Sequence, residues 1–406
     1  MNYFTRQHLM TVLESHRNTP EVKVLTGVRR CGKSTLLDRY AQSLIDEGVP
    51  KTNIFSRRFD SFDIPIGYSA QDLHHELQQA VAQAGPGAFY VFLDEIQDVP
   101  GWEQVVRRLH TRPDTDVYIT GSNAYLLSGE LATYLAGRYV SIDVYPLSFD
   151  EYATHMTQTH PERSEDRLFA DYMTYGGMPG LYVAGEPDRT KAGEILSAIY
   201  ESVVIKDVAS RYAIRDIAAL GKLSRYLFAT SGNLLSVNNI VNTLRSAGQT
   251  IAYATVENQI NALEQAYIIS GCEQARLRGK QLLHPQRKYY PVDNGFRNLT
   301  NGFNGSDRGA QLEGIVYTEL RRRGYAVSIG AANDGEIDFV TKREAETHYI
   351  QVTLNMTEEH TRQRELAPLQ RLTDAFPRTV LTLDRFSTGV TAEGIRIANV
   401  IDWLRS

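Results

Sequence analysis

Gly27-Val28-Arg29-Arg30-Cys31-Gly32-Lys33-Ser34 keeps the spacing G-x-x-x-x-G-K-[ST], and each residue type in it has a use at a phosphate chain. Glycines let consecutive backbone N–H groups turn inward as a nest of donors, and a helix beginning at the loop's end adds the positive end of its dipole. The spacing predicts that Gly27, Arg30, Cys31, Gly32, Lys33, Ser34 and Thr35 line a site for ATP. Lys33 would reach the β and γ oxygens, and the Ser34 hydroxyl would ligate Mg²⁺. A chance glycine-rich turn would need neither the β-rich run 22–26 before it nor the helical run 34–45 after it.

A second chemical signal follows about sixty residues on, where the apolar run 89–93 ends in Asp94 and Glu95. A carboxylate at the end of a buried strand can hold the hydration shell of Mg²⁺, the role expected of Asp94. Its neighbour Glu95 can orient and deprotonate an attacking water. Ser122 and Asn123, at the end of the run 117–121, are candidates to position that water, although either residue type is also an ordinary turn former. Arg138 follows a helical run, 124–136, and can present a guanidinium to the γ-phosphate of a neighbouring subunit. That reading implies a homo-oligomer, a hexamer among the sizes that would close; the bland reading is a surface arginine.

The elements that must position these groups read as α/β. Runs at 22–26, 53–59, 89–93, 117–120 and 140–145 are strand-like and separated by helical stretches, the pattern of a parallel sheet. We place this first domain at 1–146. A helical lid and linker is expected over 147–215, with a break at 175–180, and the span from about 195 to 229 again reads as helical. Residues 216–294 read as helix (234–246), helix (255–263) and hairpin (268–292), a winged-helix order. The hairpin carries Arg276, Arg278, Lys280, Arg287 and Lys288 and, over 274–288, no acid. Those cations suit contact with the phosphates of duplex or branched DNA. The second helix is poorer, since Glu257 and Glu264 flank Asn258, Gln259 and Asn261, so backbone or shape recognition is expected over base reading. Residues 295–406 read as a small mixed α/β domain.

Composition sets limits on all of this. A chain of 406 residues exceeds one ordinary core, and 42% hydrophobic with 22% charged residues describes a folded globular protein. No apolar window is long enough to span a membrane and no signal-type segment opens the chain, so a cytoplasmic protein is expected. The net charge of −5 rules out a generally basic surface and confines any nucleic-acid contact to a local patch. Cys31 and Cys272 have no metal-type spacing.

The phosphate loop, Leu-Asp-Glu-Ile-Gln at 93–97, Thr-Gly-Ser-Asn at 120–123, Gly-Arg at 137–138, Pro-Leu-Ser-Phe at 146–149 and Gly-Gly-Met-Pro-Gly at 176–180 together resemble the bacterial and archaeal AAA+ ATPases that carry a C-terminal domain of unknown function. The segments 288–293, 336–340 and 349–353 extend the resemblance over nearly the whole chain. It implies an AAA+ P-loop core, a helical lid, a winged helix and a PD-(D/E)xK nuclease-like end domain. In the last, Glu313, Asp338 and Gln351 fall at the family's acidic positions, but an amide replaces the second acid and Thr353 stands where the lysine belongs. A degenerate nuclease site is therefore expected. The leading expectation is an Mg²⁺-dependent ATP hydrolase that couples turnover to remodelling of DNA. Two alternatives stay open at this stage: an ATP-dependent signalling or defence switch acting on protein partners, and an ATP-gated metal-dependent nuclease.

Overall fold

Uninterrupted apolar runs become central strands because a parallel sheet covered on both faces buries every residue of its middle members. The computed structural model, which describes the chain outside residues 1–3, 123–136, 184, 186, 250, 276–284, 304, 306 and 333–334, bears this out. Helix α1 (Gln7–Ser15) precedes β1 (Val22–Thr26), and α2 (Lys33–Asp46), β2 (Ile54–Arg58), α3 (Ala70–Gln83), β3 (Phe89–Asp94), α4 (Trp102–His110), β4 (Thr115–Gly121) and β5 (Tyr139–Asp143) follow. The strands form one parallel sheet in the order β2-β3-β4-β1-β5. Every residue of β1 and β3 is buried, whereas β2, at the edge, alternates and so tolerates Arg57 and Arg58. On one face of the sheet, Val24, Val91 and Ile119 pack with Leu73, Leu77 and Val106. Ser69 starts α3 with a capping box, its hydroxyl accepting from the Asp72 N–H while Asp72 accepts from the Ser69 N–H.

One charge lies inside this sheet. Lys23, on β1, is fully buried and its Nζ donates to Asp116 Oδ1 on β4 at 2.5 Å and to the Thr19 carbonyl at 2.8 Å. The other Asp116 oxygen accepts from the Asn18 N–H at 2.7 Å and the Tyr118 hydroxyl at 2.9 Å. These elements belong to a compact unit of residues 5–145 joined by 265–267.

A second unit takes residues 1–4, 146–264 and 268–406. It opens with helices α5 (Phe149–Thr159), α6 (Glu165–Tyr175) and α7 (Arg189–Ser202). The helical span expected over 195–229 is broken: a wider π-type helix runs over Val203–Ser210, Ala213 takes a left-handed φ of 51°, and Asp216 caps a new helix, α8 (Ile217–Ala229). Helices α9 (Val237–Ser246) and α10 (Tyr253–Gln265) lead into antiparallel strands β6 (Ile269–Glu273) and β7 (Arg287–Pro291), the helix, helix and hairpin order read from the sequence. After α11 (Asn294–Asn301) and α12 (Arg308–Arg322) come β8 (Ala326–Ala332), β9 (Gly335–Arg343), β10 (Glu346–Thr353), α13 (Glu359–Gln370), β11 (Arg378–Thr382), β12 (Gly389–Val390), β13 (Arg396–Asn399) and α14 (Val400–Arg405). Their sheet has the order β12-β13-β11-β10-β9-β8 and mixes parallel with antiparallel pairs.

Two of the sequence segments meet at Asp293. Its carboxylate caps α11 by accepting from the Gly295 N–H at 2.8 Å and accepts from the Gly177 N–H at 2.6 Å. A side chain at Gly176 would put Cβ 1.8 Å from Asp293 Oδ1, which accounts for glycine there. Burial pushes the Asp293 carboxyl up to about 6, against the pull of the two N–H donors. A folded-state pKa above the unfolded value of about 3.9 means that the native chain holds the proton longer. Its contribution is therefore present below about pH 4 and lost as the pH rises through about 6, a change of roughly 3 kcal/mol. Asp293→Asn cannot titrate. Urea unfolding should show wild type losing stability relative to this variant across that window, and a difference independent of pH would contradict the assignment.

Candidate functional site

The loop after β1 is shaped by two glycines. Gly27 has φ of 149°, and a Cβ there would sit 2.1 Å from the Val144 carbonyl oxygen; Gly32, capping α2, has φ of 102°. Arg30 is also left-handed, at φ 65°. The loop is further held by Arg6, whose guanidinium donates to the carbonyls of Cys31 at 3.0 Å and Tyr145 at 2.7 Å. Cys31 itself is fully buried, which makes it a packing residue that offers a ligand only its backbone. Lys33 is folded back, its Nζ donating to the carbonyls of Gly27 at 2.8 Å and Val28 at 3.2 Å. Ser34 and Thr35 occupy the first turn of α2.

The sheet order brings the carboxylates to this loop. Strand β4 lies between β1 and β3, so Thr120 on β4 stands beside Asp94 and donates to its Oδ1 at 2.5 Å. The same hydroxyl accepts from the Glu95 N–H at 2.9 Å. Asp94 Oδ2 is buried and makes no hydrogen bond, and the Arg58 Nε lies 3.7 Å from it. Burial pushes the Asp94 carboxyl up, while the Thr120 and Ser34 hydroxyls and the Arg58 guanidinium pull it down. An orphaned carboxylate oxygen beside the Ser34 hydroxyl fits a divalent cation, so these residues suit Mg²⁺. Asp94 and Ser34 are the groups that would hold it.

Glu95 is bent out of the strand at φ 53°, a conformation that costs a non-glycine residue about 1 kcal/mol. The turn that follows carries Gln97, whose Nε2 donates to Glu95 Oε2. Three supporting groups thus escaped the sequence reading. Thr120 lay inside the quoted motif 120–123 but reads as a strand residue, Gln97 reads as the end of the separate motif 93–97, and Arg6 carries no local signal at all. Ser122 is buried at the end of β4, in the expected region, while Asn123 lies outside the described residues. Arg138 is exposed just before β5, and its carbonyl accepts from the Val22 N–H at the start of β1. The P-loop leaves the other end of β1. A strand's length, roughly 15 Å, therefore separates Arg138 from the loop of its own subunit.

Residues 19–153 match the family described as "AAA domain" and residues 166–307 match "Domain of unknown function (DUF8612)". An uncharacterised protein of Haemophilus influenzae is 36% identical over 400 residues, 98% of each chain. The chain belongs to the same family as that protein, and it carries an AAA domain over residues 19–153. An uncharacterised protein of Methanocaldococcus jannaschii is 26% identical over 362 residues, 86% of this chain and 78% of that one. Among solved structures, the Walker-type ATPase of Pyrococcus abyssi aligns with a TM-score of 0.51 at 16% identity, over 74% of this chain and 96% of that chain, a likeness of fold. Neither domain description names a winged helix or a nuclease. No described helix is long and apolar enough to cross a membrane.

The expected DNA wing needs correction at two of its five cations. Lys288 is 4% exposed, and its ammonium lies 2.8 Å from Glu313 Oε1 and in contact with Glu336. Arg287 is paired with Glu264 at 3.0 Å and Glu273 at 3.3 Å. Charge in the sequence counted both as phosphate contacts, but their counterions come from other elements. Arg276, Arg278 and Lys280 lie outside the described residues.

Of the positions expected to form a degenerate nuclease site, Asp338 and Gln351 are hydrogen-bonded to each other. Asp338 Oδ2 accepts from the Val352 N–H at 2.8 Å, and Gln351 accepts from the Asp338 N–H at 3.3 Å while donating to Glu365 at 3.0 Å. Thr353 donates to the Asn355 carbonyl at 3.2 Å. No group of three or more His, Cys, Asp or Glu suited to a metal occurs among the described residues.

Proposed function

We propose that the chain is an Mg²⁺-dependent ATP hydrolase. The observation that carries this is the single loop and strand end at which a glycine nest, Lys33, the orphaned Asp94 Oδ2 and a displaced Glu95 meet. On binding, the phosphates replace the Gly27 and Val28 carbonyls as partners of Lys33. Ser34 and Asp94 would hold Mg²⁺, which would supply positive charge at the phosphate oxygens. Glu95, oriented by the Gln97 amide, takes the proton of the attacking water. Thr120 fixes both acids by holding one carboxylate oxygen and one backbone N–H.

Arg138 is exposed and a strand's length from its own loop, which supports its service to the γ-phosphate of a second copy. Arg138→Ala should then lower turnover about 10³-fold or more in the assembled form. Phosphate release measured against protein concentration, with size followed in parallel, checks this. A monomer that turns over at the assembled rate contradicts the shared site.

We propose duplex or branched DNA as the partner, on the three cations Arg276, Arg278 and Lys280 in the sequence between β6 and β7. A protein-directed switch is a second reading with an observation of its own. Phe62 and Ile66, between β2 and α3, are both fully exposed, apolar surface available to a protein partner. Stoichiometric, nucleotide-dependent capture of one protein, without DNA binding, would favour that reading over the first.

A further inference from the structure

The carboxylate cluster of the end domain is not short of a lysine. Thr353 occupies the position where a nuclease of this type carries one, yet a lysine reaches the cluster from another element, strand β7. Lys288 Nζ lies 2.8 Å from Glu313 Oε1 on α12, in contact with Glu336 on β9, and 3.9 Å from Asp338 Oδ1 on the same strand. Burial works against the ammonium's charge, but Glu313, Asp338 and Glu336 outweigh it and hold its proton more tightly than usual. The hydroxyl of Tyr290, two residues on, donates to the same Glu313 oxygen at 2.6 Å.

One oxygen of each of Glu313 and Asp338 is already engaged. Glu313 Oε1 has two donors, Lys288 and Tyr290, Asp338 Oδ2 is taken by the Val352 N–H, and Gln351 is spent between Asp338 and Glu365. A divalent ion would have to share the cluster with an ammonium at contact distance, and like charges so close in a buried setting repel strongly. The ammonium also has a mechanical consequence. It is anchored to β7, so its ion pairs tie the hairpin to α12 and β9.

We propose that Lys288 is a tethered cation that fills the carboxylate cluster in place of a divalent metal, turning a nuclease-type site into a clasp between the hairpin and the end sheet. The site then neither binds Mg²⁺ nor cleaves a phosphodiester. This inference is independent of the reading of the P-loop.

The test uses the full chain without nucleotide, Mn²⁺ as the probe, and paired readouts: electron paramagnetic resonance of free Mn²⁺ and the thermal unfolding midpoint. Wild type and Asp338→Asn should bind Mn²⁺ equally, because the cluster contributes nothing to either. Lys288→Met, which removes the cation and keeps most of the side-chain length, should unfold at lower temperature without metal. It should also gain at least tenfold in Mn²⁺ affinity over the double variant Lys288→Met/Asp338→Asn, with the midpoint partly restored by Mn²⁺. Mn²⁺ binding to wild type that Asp338→Asn abolishes would overturn the proposal. So would a Lys288→Met chain as stable as wild type in the absence of metal. Should Lys288→Met not fold, the comparison of wild type with Asp338→Asn still decides.

Discussion

Glu95→Gln is expected to leave ATP binding within about twofold while turnover falls by about 10²–10⁴, the range for losing a general base. The substitution is close to isosteric. Its amide oxygen can still accept from Gln97 Nε2, and its backbone N–H still donates to the Thr120 hydroxyl, so the left-handed turn at residue 95 keeps its supports. Only basicity is removed. Lys33→Ala provides the contrast, since Lys33 is the cation placed to meet the phosphates and its removal should weaken binding itself. Calorimetric titration with a non-hydrolysable ATP analogue, beside phosphate release, separates the two effects. Equal loss of binding in both variants would show that Glu95 is part of the binding surface and not the base.

Lys23→Met should cost about 3–5 kcal/mol of stability, the range found when one partner of a buried ion pair is removed. The reason is what stays behind. Asp116 is buried, and without the ammonium its charge is held only by the Asn18 N–H and the Tyr118 hydroxyl. Lys23→Met/Asp116→Asn removes that stranded charge while leaving an acceptor for those donors, and should recover at least half of the loss. Urea unfolding of the two variants reads this directly. A single-variant loss below about 1 kcal/mol would mean that the pair behaves as a solvated one.

The P-loop strand and the carboxylate strand were legible for a simple reason. Central parallel strands bury both faces, so β3 appears in sequence as an unbroken apolar run and β1 as a β-rich run interrupted by Lys23, and the glycines at 27 and 32 are demanded by backbone angles that other residues take with strain. Strand β2 was harder because an edge position admits Arg57 and Arg58, which look foreign to a strand until the sheet order is known.

Helix α11 was missed altogether. Its residues Asn294-Gly-Phe-Arg-Asn-Leu-Thr-Asn are poor helix formers, and tertiary contacts override them. Asp293 caps the helix, and the Asn298 amide donates to the carbonyls of Met173 at 3.0 Å and Thr174 at 2.8 Å. The wing reading erred by the same principle in reverse. A cation's availability depends on its partner, and Lys288 finds Glu313 and Glu336 at separations that no local pattern displays. The supporting residues Thr120, Gln97 and Arg6 share that limit, since each acts only once the sheet and its loops are assembled.

The most direct test of the account is phosphate release by the full chain in Mg²⁺-ATP at low salt, alone and with duplex, single-stranded and junction DNA. Turnover should require Mg²⁺ and rise on duplex or branched DNA. Turnover that is the same with every DNA and with none would contradict the coupling.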